Sequence, residues 1–254
     1  GGAALATVIA QAVSGLGIGI YTWLREPALR PKREHFAIDR KTSKEVMRNS
    51  AAACLQQSVM NFGILMIQGL VNSFGTIVMA AFAAAVKIDS FAYMPAQEFG
   101  NAYSLFISQN HGAGKDGRIR EGTLRAAAVS ASFCLVISAG IFVLAPYLMR
   151  IFVDAGEREI IRTGVQYLRI EGAFYCGIGC LFLLYGLYRA LGKPGMSVVL
   201  TVISLGTRVA LAYALSSVPA FGVAGIWWSV PIGWFLADLA GISYYVFCRK
   251  DLVT

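Results

Sequence analysis

The 254 residues are 57% hydrophobic and 14% charged, about half the charge of an ordinary soluble domain. That balance excludes a compact water-soluble domain and predicts an all-α, polytopic membrane helix bundle. The net charge of +8 is not a nucleic-acid footprint, because the basic residues sit in short loops between apolar runs, as the positive-inside rule requires.

Apolar runs long enough to cross a bilayer lie at about 3–24, 49–72, 76–108, 123–149, 159–188, 196–217 and 222–247. The first opens at Gly1-Gly2-Ala3-Ala4 with neither an initiator Met nor a charged leader, which predicts a chain that starts inside a helix. Sixteen Lys and Arg fall in the connections 25–48, 115–125, 189–193 and 249–250. The other side holds Arg150, Arg158 and Arg162, diluted by Asp154, Glu157 and Glu159. The basic side is therefore cytoplasmic. The longest polar connection, 25–48 with Pro27 and Pro31, is the natural domain boundary. One span, 1–24, precedes it; six spans, 49–248, follow and end in a short tail, 249–254. Gly2-Ala3-Ala4-Leu5-Ala6-Thr7 and Gly225-Ile226-Trp227-Trp228-Ser229-Val230 each open with glycine at an outer end, six spans apart, a pattern that fits two six-helix repeats. Cys54, Cys134, Cys176, Cys180 and Cys248 lie in or beside apolar runs and read as packing residues, while His35 and His111 lie in basic loops.

In the third span Asp89, Tyr93, Gln97, Asn101, Ser104 and Ser108 recur at helical steps and share one face. The second span repeats the pattern with Gln57, Asn61, Gln68 and Asn72. A polar face on a spanning helix lines either water or another helix; amides here are interhelical glue on one account and a cavity lining on the other. In the fifth span Tyr167, Glu171 and Tyr175 are successive i, i+4 neighbours, and the row continues to Tyr185 and Arg189. The sixth carries Ser197, Thr201, Ser204 and Arg208; the seventh carries Trp227, Pro231, Trp234 and Asp238. The fourth is the blandest and is expected to face lipid most.

Lys87, Asp89, Arg169, Glu171, Arg208 and Asp238 fall well inside spans, where a charge is costly enough that a partner or a function is expected. A static pair between Asp238 and Arg208 on adjacent antiparallel spans is one account, and a working group is the other. Lys87 and Asp89 are two residues apart and point to opposite sides. Trp227 and Trp228, near the outer end, read as interfacial-belt residues. Tyr93, Tyr175 and Trp234 lie deeper, where a flat or cationic organic solute can stack. There is no phosphate-binding loop, His-rich metal spacing or Ser/His/Asp set, so nothing points to an enzyme.

Asn72-Ser73-Phe74-Gly75, Phe91-Ala92-Tyr93-Met94-Pro95, Phe99-Gly100-Asn101-Ala102 and Gln109-Asn110-His111-Gly112-Ala113-Gly114-Lys115 resemble the seventh and eighth helices of MATE (multidrug and toxic compound extrusion) transporters, in the bacterial branch. Gly2 to Thr7 with Gln11 resembles that family's sixth helix, and Tyr167-Leu168-Arg169-Ile170 and Gly222-Val223-Ala224-Gly225-Ile226 resemble the starts of its tenth and twelfth. The resemblance implies an antiporter of two six-helix lobes that exports organic, often cationic, compounds against sodium or protons from the plasma membrane of a bacterium. It needs no cofactor. This chain would hold the last helix of the N-terminal lobe, the interlobe loop and the C-terminal lobe, with a small organic substrate, the lipid bilayer and a missing N-terminal lobe as partners. Sodium-linked members place carboxylates on the seventh and tenth helices. Here the tenth offers Glu171 with Tyr167 as the ion-coupling pair, whereas the seventh offers amides, Gln56 and Gln57, and opens Ala51-Ala52-Ala53 in place of Gly-Leu-Pro. The implied cavity lining is Gln57, Asn61, Gln68, Asp89, Tyr93, Gln97, Asn101, Tyr175, Arg208, Trp234 and Asp238. The alternatives are a flippase for lipid-linked glycans from the same superfamily, for which Lys87, Arg169 and Arg208 speak, and a non-transporting membrane module.

Overall fold

The computed structural model describes residues 2–27, 30 and 39–247. His35, Cys248, the tail 249–254 and most of the polar connection's middle lie outside the described residues. Every element is helical: α1 (Gly2–Arg25), α2 (Arg40–Asn72), α3 (Thr76–Gly112), α4 (Asp116–Phe152), α5 (Arg158–Gly172), α6 (Tyr175–Ala190), α7 (Pro194–Ser216) and α8 (Gly222–Phe247). The chain divides into two units, Gly1–Arg48 and Asn49–Thr254. In the first, Asp39 caps α2 by accepting hydrogen bonds from the Thr42 amide at 2.9 Å, the Lys41 amide at 3.3 Å and the Thr42 hydroxyl at 2.6 Å. Those bonds, the hydroxyl's first, hold its carboxyl below the usual value.

Among the described residues six helices are long and apolar enough to cross a membrane, and α5 with α6 makes a seventh span bent by 52°. The sequence predicts one unbroken helix over 159–188. The break comes where Gly172, Gly177 and Gly179 weaken helical propensity within eight residues. There the Phe174 amide turns back to the Glu171 carbonyl at 3.0 Å and the Gly177 amide to the Phe174 carbonyl at 2.8 Å. The bend falls between Glu171 and Tyr175 and so lets the two side chains approach α3 from different directions.

Within the second unit α3 packs against α4, α5 and α6, while α7 and α8 pair along their length and meet α6. Backbone-close contacts set this packing, as is usual where lipid supplies no hydrophobic drive between helices. A Cβ on Gly186 would stand 2.6 Å from the Gly100 carbonyl oxygen of α3, and one on Gly233 would stand 2.5 Å from that of Ser204 on α7. Gly186→Ala is therefore expected to destabilise the lobe by about 1–3 kcal/mol, as overpacking does. A lowered midpoint in thermal unfolding followed by intrinsic fluorescence checks it. The turns after α3 and α6 close alike, with Gly114 and Gly192 at φ 65° and 69°, the left-handed conformation that favours glycine after a helix end. The fourth span is not the most exposed: α2 buries less of its apolar stretch than α4, which packs on α3, α5 and α6.

Candidate functional site

Four helices bring an acidic centre together inside the second unit. Asp89 of α3 and Glu171 of α5 are 6% and 3% exposed. Tyr175, the first residue of α6, donates its hydroxyl to Asp89 Oδ1 at 2.5 Å, across 86 residues of sequence. The Tyr167 hydroxyl, one turn before Glu171, faces the Glu171 carboxyl. Arg208 of α7 reaches in from the other side, within electrostatic range of both carboxylates. Among the described residues it makes no direct ion pair with either. Instead, Glu171 Oε2 and Arg208 Nε are both buried without a hydrogen-bond partner. Native interiors leave few such atoms unpaired, and an unpaired one marks a place for a proton, a water or an ion. Two carboxylates, two phenols and one guanidinium form an oxygen-rich set of the kind hard cations use. With both acids ionised the trio of charges sums to minus one.

An aromatic cluster closes this centre on its outer side. Phe82 stacks on Trp227 at 5.5 Å and 9°, and Tyr167 meets Trp227 edge-on at 4.9 Å. Trp227 is 1% exposed, so it is not the interfacial-belt residue that its position near the outer end predicts. Its neighbour Trp228 is exposed and meets Phe174 at 5.8 Å. The difference is one of face: Trp227 shares its side of α8 with Pro231 and Trp234, which are also buried. Phe82 was legible too, for it precedes Asp89 by seven residues on the same stripe.

The amides gather elsewhere, where α2, α3 and α6 meet. Gln57, Gln97 and Asn101 line a cavity of about 140 Å³ with Gln56, Tyr185 and Arg189. Arg189, at the end of the row that begins with Tyr167, donates to Asn101 Oδ1 at 3.1 Å. Asn61 accepts from Gln57 at 3.2 Å, and Gln68 donates to Asn72 at 3.1 Å, so both amides are answered along α2 itself and lie outside that cavity. Tyr93 sits between the two regions, its ring 6.4 Å from that of Phe182. Trp234 is buried and its Cβ lies 3.5 Å from where a Gly177 side chain would begin.

Asp238 does not pair with Arg208. Adjacent antiparallel helices made that pair plausible, but Arg208 turns toward α3 and α5 whereas Asp238 faces α6, beside Cys180 and Gly177. Its Oδ1 is buried without a partner. Lys87 and Asp89 do point apart: Asp89 is buried, while Lys87 is exposed in a groove with Phe152, Val153 and Ile160. Arg169 lies against the Phe142 ring at 5.3 Å. No group of three or more His, Cys, Asp or Glu side chains suited to a metal ion occurs among the described residues.

The MatE family model matches residues 52–214. Probable multidrug resistance protein YpnP of Bacillus subtilis (strain 168) is 30% identical, over 98% of this chain and 55% of that protein. Multidrug export protein MepA of Staphylococcus haemolyticus is 22% identical, over 91% of this chain and 50% of that one. The chain spans about half the length of these curated relatives. Among solved structures, a crystal structure of MATE in complex with MaL6 superposes with a TM-score of 0.89 at 21% identity, covering 99% of this chain and 57% of its own. The MATE transporter ClbM in complex with Rb+ gives 0.79 at 26% identity, covering 94% and 52%. With most of its helices inside the matched region, the chain belongs to the MatE family of transporters, multi-pass proteins of the bacterial plasma membrane rather than enzymes.

Proposed function

We propose that this chain is the C-terminal half of an ion-coupled multidrug exporter. Residues 1–24 are the last helix of the N-terminal lobe, 25–48 the cytoplasmic interlobe connection, 49–248 the C-terminal lobe and 249–254 a cytoplasmic tail. An N-terminal lobe completes the cavity. Sodium or a proton binds at Glu171 and Asp89, with Tyr167 and Tyr175 supplying hydroxyl oxygens, and no cofactor takes part. Organic, often cationic, substrate is held lower, among Gln57, Gln97, Asn101 and Tyr93. Tyr175 links the regions, since it sits at the bend and holds Asp89.

The observation that carries this reading is the buried Glu171 oxygen with no partner, within electrostatic range of one other acid, Asp89, and one arginine, Arg208, in a membrane-spanning lobe. Intramembrane ionisable groups mark ion pathways, and bent or broken spans at such groups are a recurring feature of secondary transporters. The relative ClbM was solved with a monovalent cation, Rb+, which agrees with a site of net charge minus one. Antiport follows if the ion and the substrate favour different lobe conformations. The flippase alternative loses its footing, because Lys87, Arg169 and Arg208 share no cavity.

Full-length protein in sealed vesicles tests it. Export of an ethidium-like cation is expected under an inward sodium or proton gradient and is expected to stop when Asp89 is changed to Asn. Export that is independent of both gradients would refute ion coupling.

A further inference from the structure

A second cavity lies away from the acids, on the flank between α3 and α4. It has a volume of about 470 Å³ and is walled by Phe99, Phe106 and Val129, with Arg118, Glu121 and Arg125 at its cytoplasmic end. Arg125 pairs with Glu121 at 2.5 Å, so the second guanidinium, Arg118, leaves that end with one uncompensated positive charge. The groove does not stop there. Phe99 and Val129 also border a further apolar furrow of about 150 Å³ that runs on past Pro95, Ser130 and Phe133. From Arg118 to Phe133 along α4 is about 22 Å at ~1.5 Å per residue. The mouth therefore lies at the cytoplasmic headgroup level and the far end near the middle of the bilayer. Gly122 keeps the wall thin, since a Cβ there would stand 2.2 Å from the Phe106 ring.

We propose that this groove is a binding site for an anionic phospholipid of the cytoplasmic leaflet. The charge is at one end only, and the apolar walls of cavity and furrow together run about 16 Å along α4 from Gly122 to Phe133 at ~1.5 Å per residue, about half the ~30 Å hydrocarbon core, which is the shape and polarity of a phospholipid lying along the helices. The phosphate meets Arg118 and Arg125 through charge-assisted hydrogen bonds, and one acyl chain follows Phe99, Val129 and Phe133. Basic pockets between spans on the cytoplasmic side select anionic headgroups on the same physical basis. A soluble anion would use the mouth alone and gain nothing from the furrow.

Native mass spectrometry of the full-length protein, given phosphatidylglycerol or phosphatidylcholine with identical acyl chains, decides the matter. Phosphatidylglycerol is expected to be retained about fivefold more strongly, the effect of one net surface charge. Arg118→Gln together with Arg125→Gln is expected to bring the two lipids level. Both arginines are exposed, so the fold does not depend on them. Ala126→Phe, which fills the groove without touching charge, is expected to reduce retention of both lipids. Equal retention by the unaltered protein overturns the proposal, as does a preference that survives the double arginine change or retention unaffected by Ala126→Phe. Displacement of the lipid by millimolar inorganic phosphate would show an anion pocket instead and also overturns it.

Discussion

Glu171→Gln is expected to abolish ion-driven export while leaving the protein folded. The amide keeps the size and shape of the carboxyl and still offers an oxygen to the Tyr167 hydroxyl that faces it. What it removes is the charge, at a position 3% exposed where water cannot substitute for it. Removing one partner of a buried charge pair costs about 2–5 kcal/mol, which is roughly 30-fold or more in the ion's binding constant. Coupling needs the ion to bind one lobe conformation better than the other, so a loss of that size removes the driving term and leaves substrate binding by the amide cavity in place. Two measurements separate these effects. Ethidium-like dye efflux from energised vesicles should fall to the level of protein-free vesicles, and dye binding under equilibrium conditions should persist. A buried neutral amide is less costly than a buried unpaired carboxylate, so the thermal midpoint without sodium should hold or rise. Its increase on adding sodium should vanish. Ion-driven efflux that survives Glu171→Gln would remove the residue from the coupling role.

The spans and the Tyr167, Glu171, Tyr175 row were legible because both rest on local rules, apolar length and the helical period. What the row could not say is where its members point, because the break at 173–174 reorients everything after Glu171. Gly172, Gly177 and Gly179 were the available signal. The contact from Tyr175 to Asp89 spans 86 residues and depends on the α3–α6 approach that Gly100 and Gly186 allow; no periodicity encodes it. The static pair of Arg208 with Asp238, one of the two accounts open from the sequence, does not form for a related reason. Neighbouring spans in sequence do pack together, α7 against α8, but the face on which a side chain stands decides its partner, and Arg208 stands toward Glu171. The amide stripes of α2 and α3 were read as one lining and divide in the structure. Gln57, Gln97 and Asn101 share a cavity, whereas Asn61 and Gln68 are satisfied within α2. The periodicity that put them on one face could not tell which of them stand where α2, α3 and α6 meet around that cavity, for Gln57 lines it while also donating to Asn61.

Arg208→Met is expected to convert the acidic centre from one that takes a single monovalent cation to one that takes a divalent cation. The argument is charge arithmetic in a low-dielectric site. Asp89 and Glu171 supply two negative charges when ionised, and Arg208, half-buried within range of both, supplies a fixed positive one. Because its guanidinium makes no direct ion pair, it offsets charge without occupying the space beside Glu171 Oε2. Two like charges ~4 Å apart repel by about 4 kcal/mol at an effective dielectric constant of ~20, so removing the arginine leaves a demand for two positive charges. Calcium or manganese should then raise the thermal midpoint of the variant and not of the unaltered protein. Arg208→Lys, which keeps the charge, should behave as the unaltered protein does. The compensating variant is the sharper one. Asp89→Asn alone leaves a neutral set that binds no cation, and Arg208→Met with Asp89→Asn returns the sum to minus one. The double variant should regain the stabilisation by sodium that Asp89→Asn alone lacks, whereas two independent injuries to the fold would add. If sodium stabilises neither the double variant nor Arg208→Lys, the arginine holds the helices together and does not set the charge of the ion that binds.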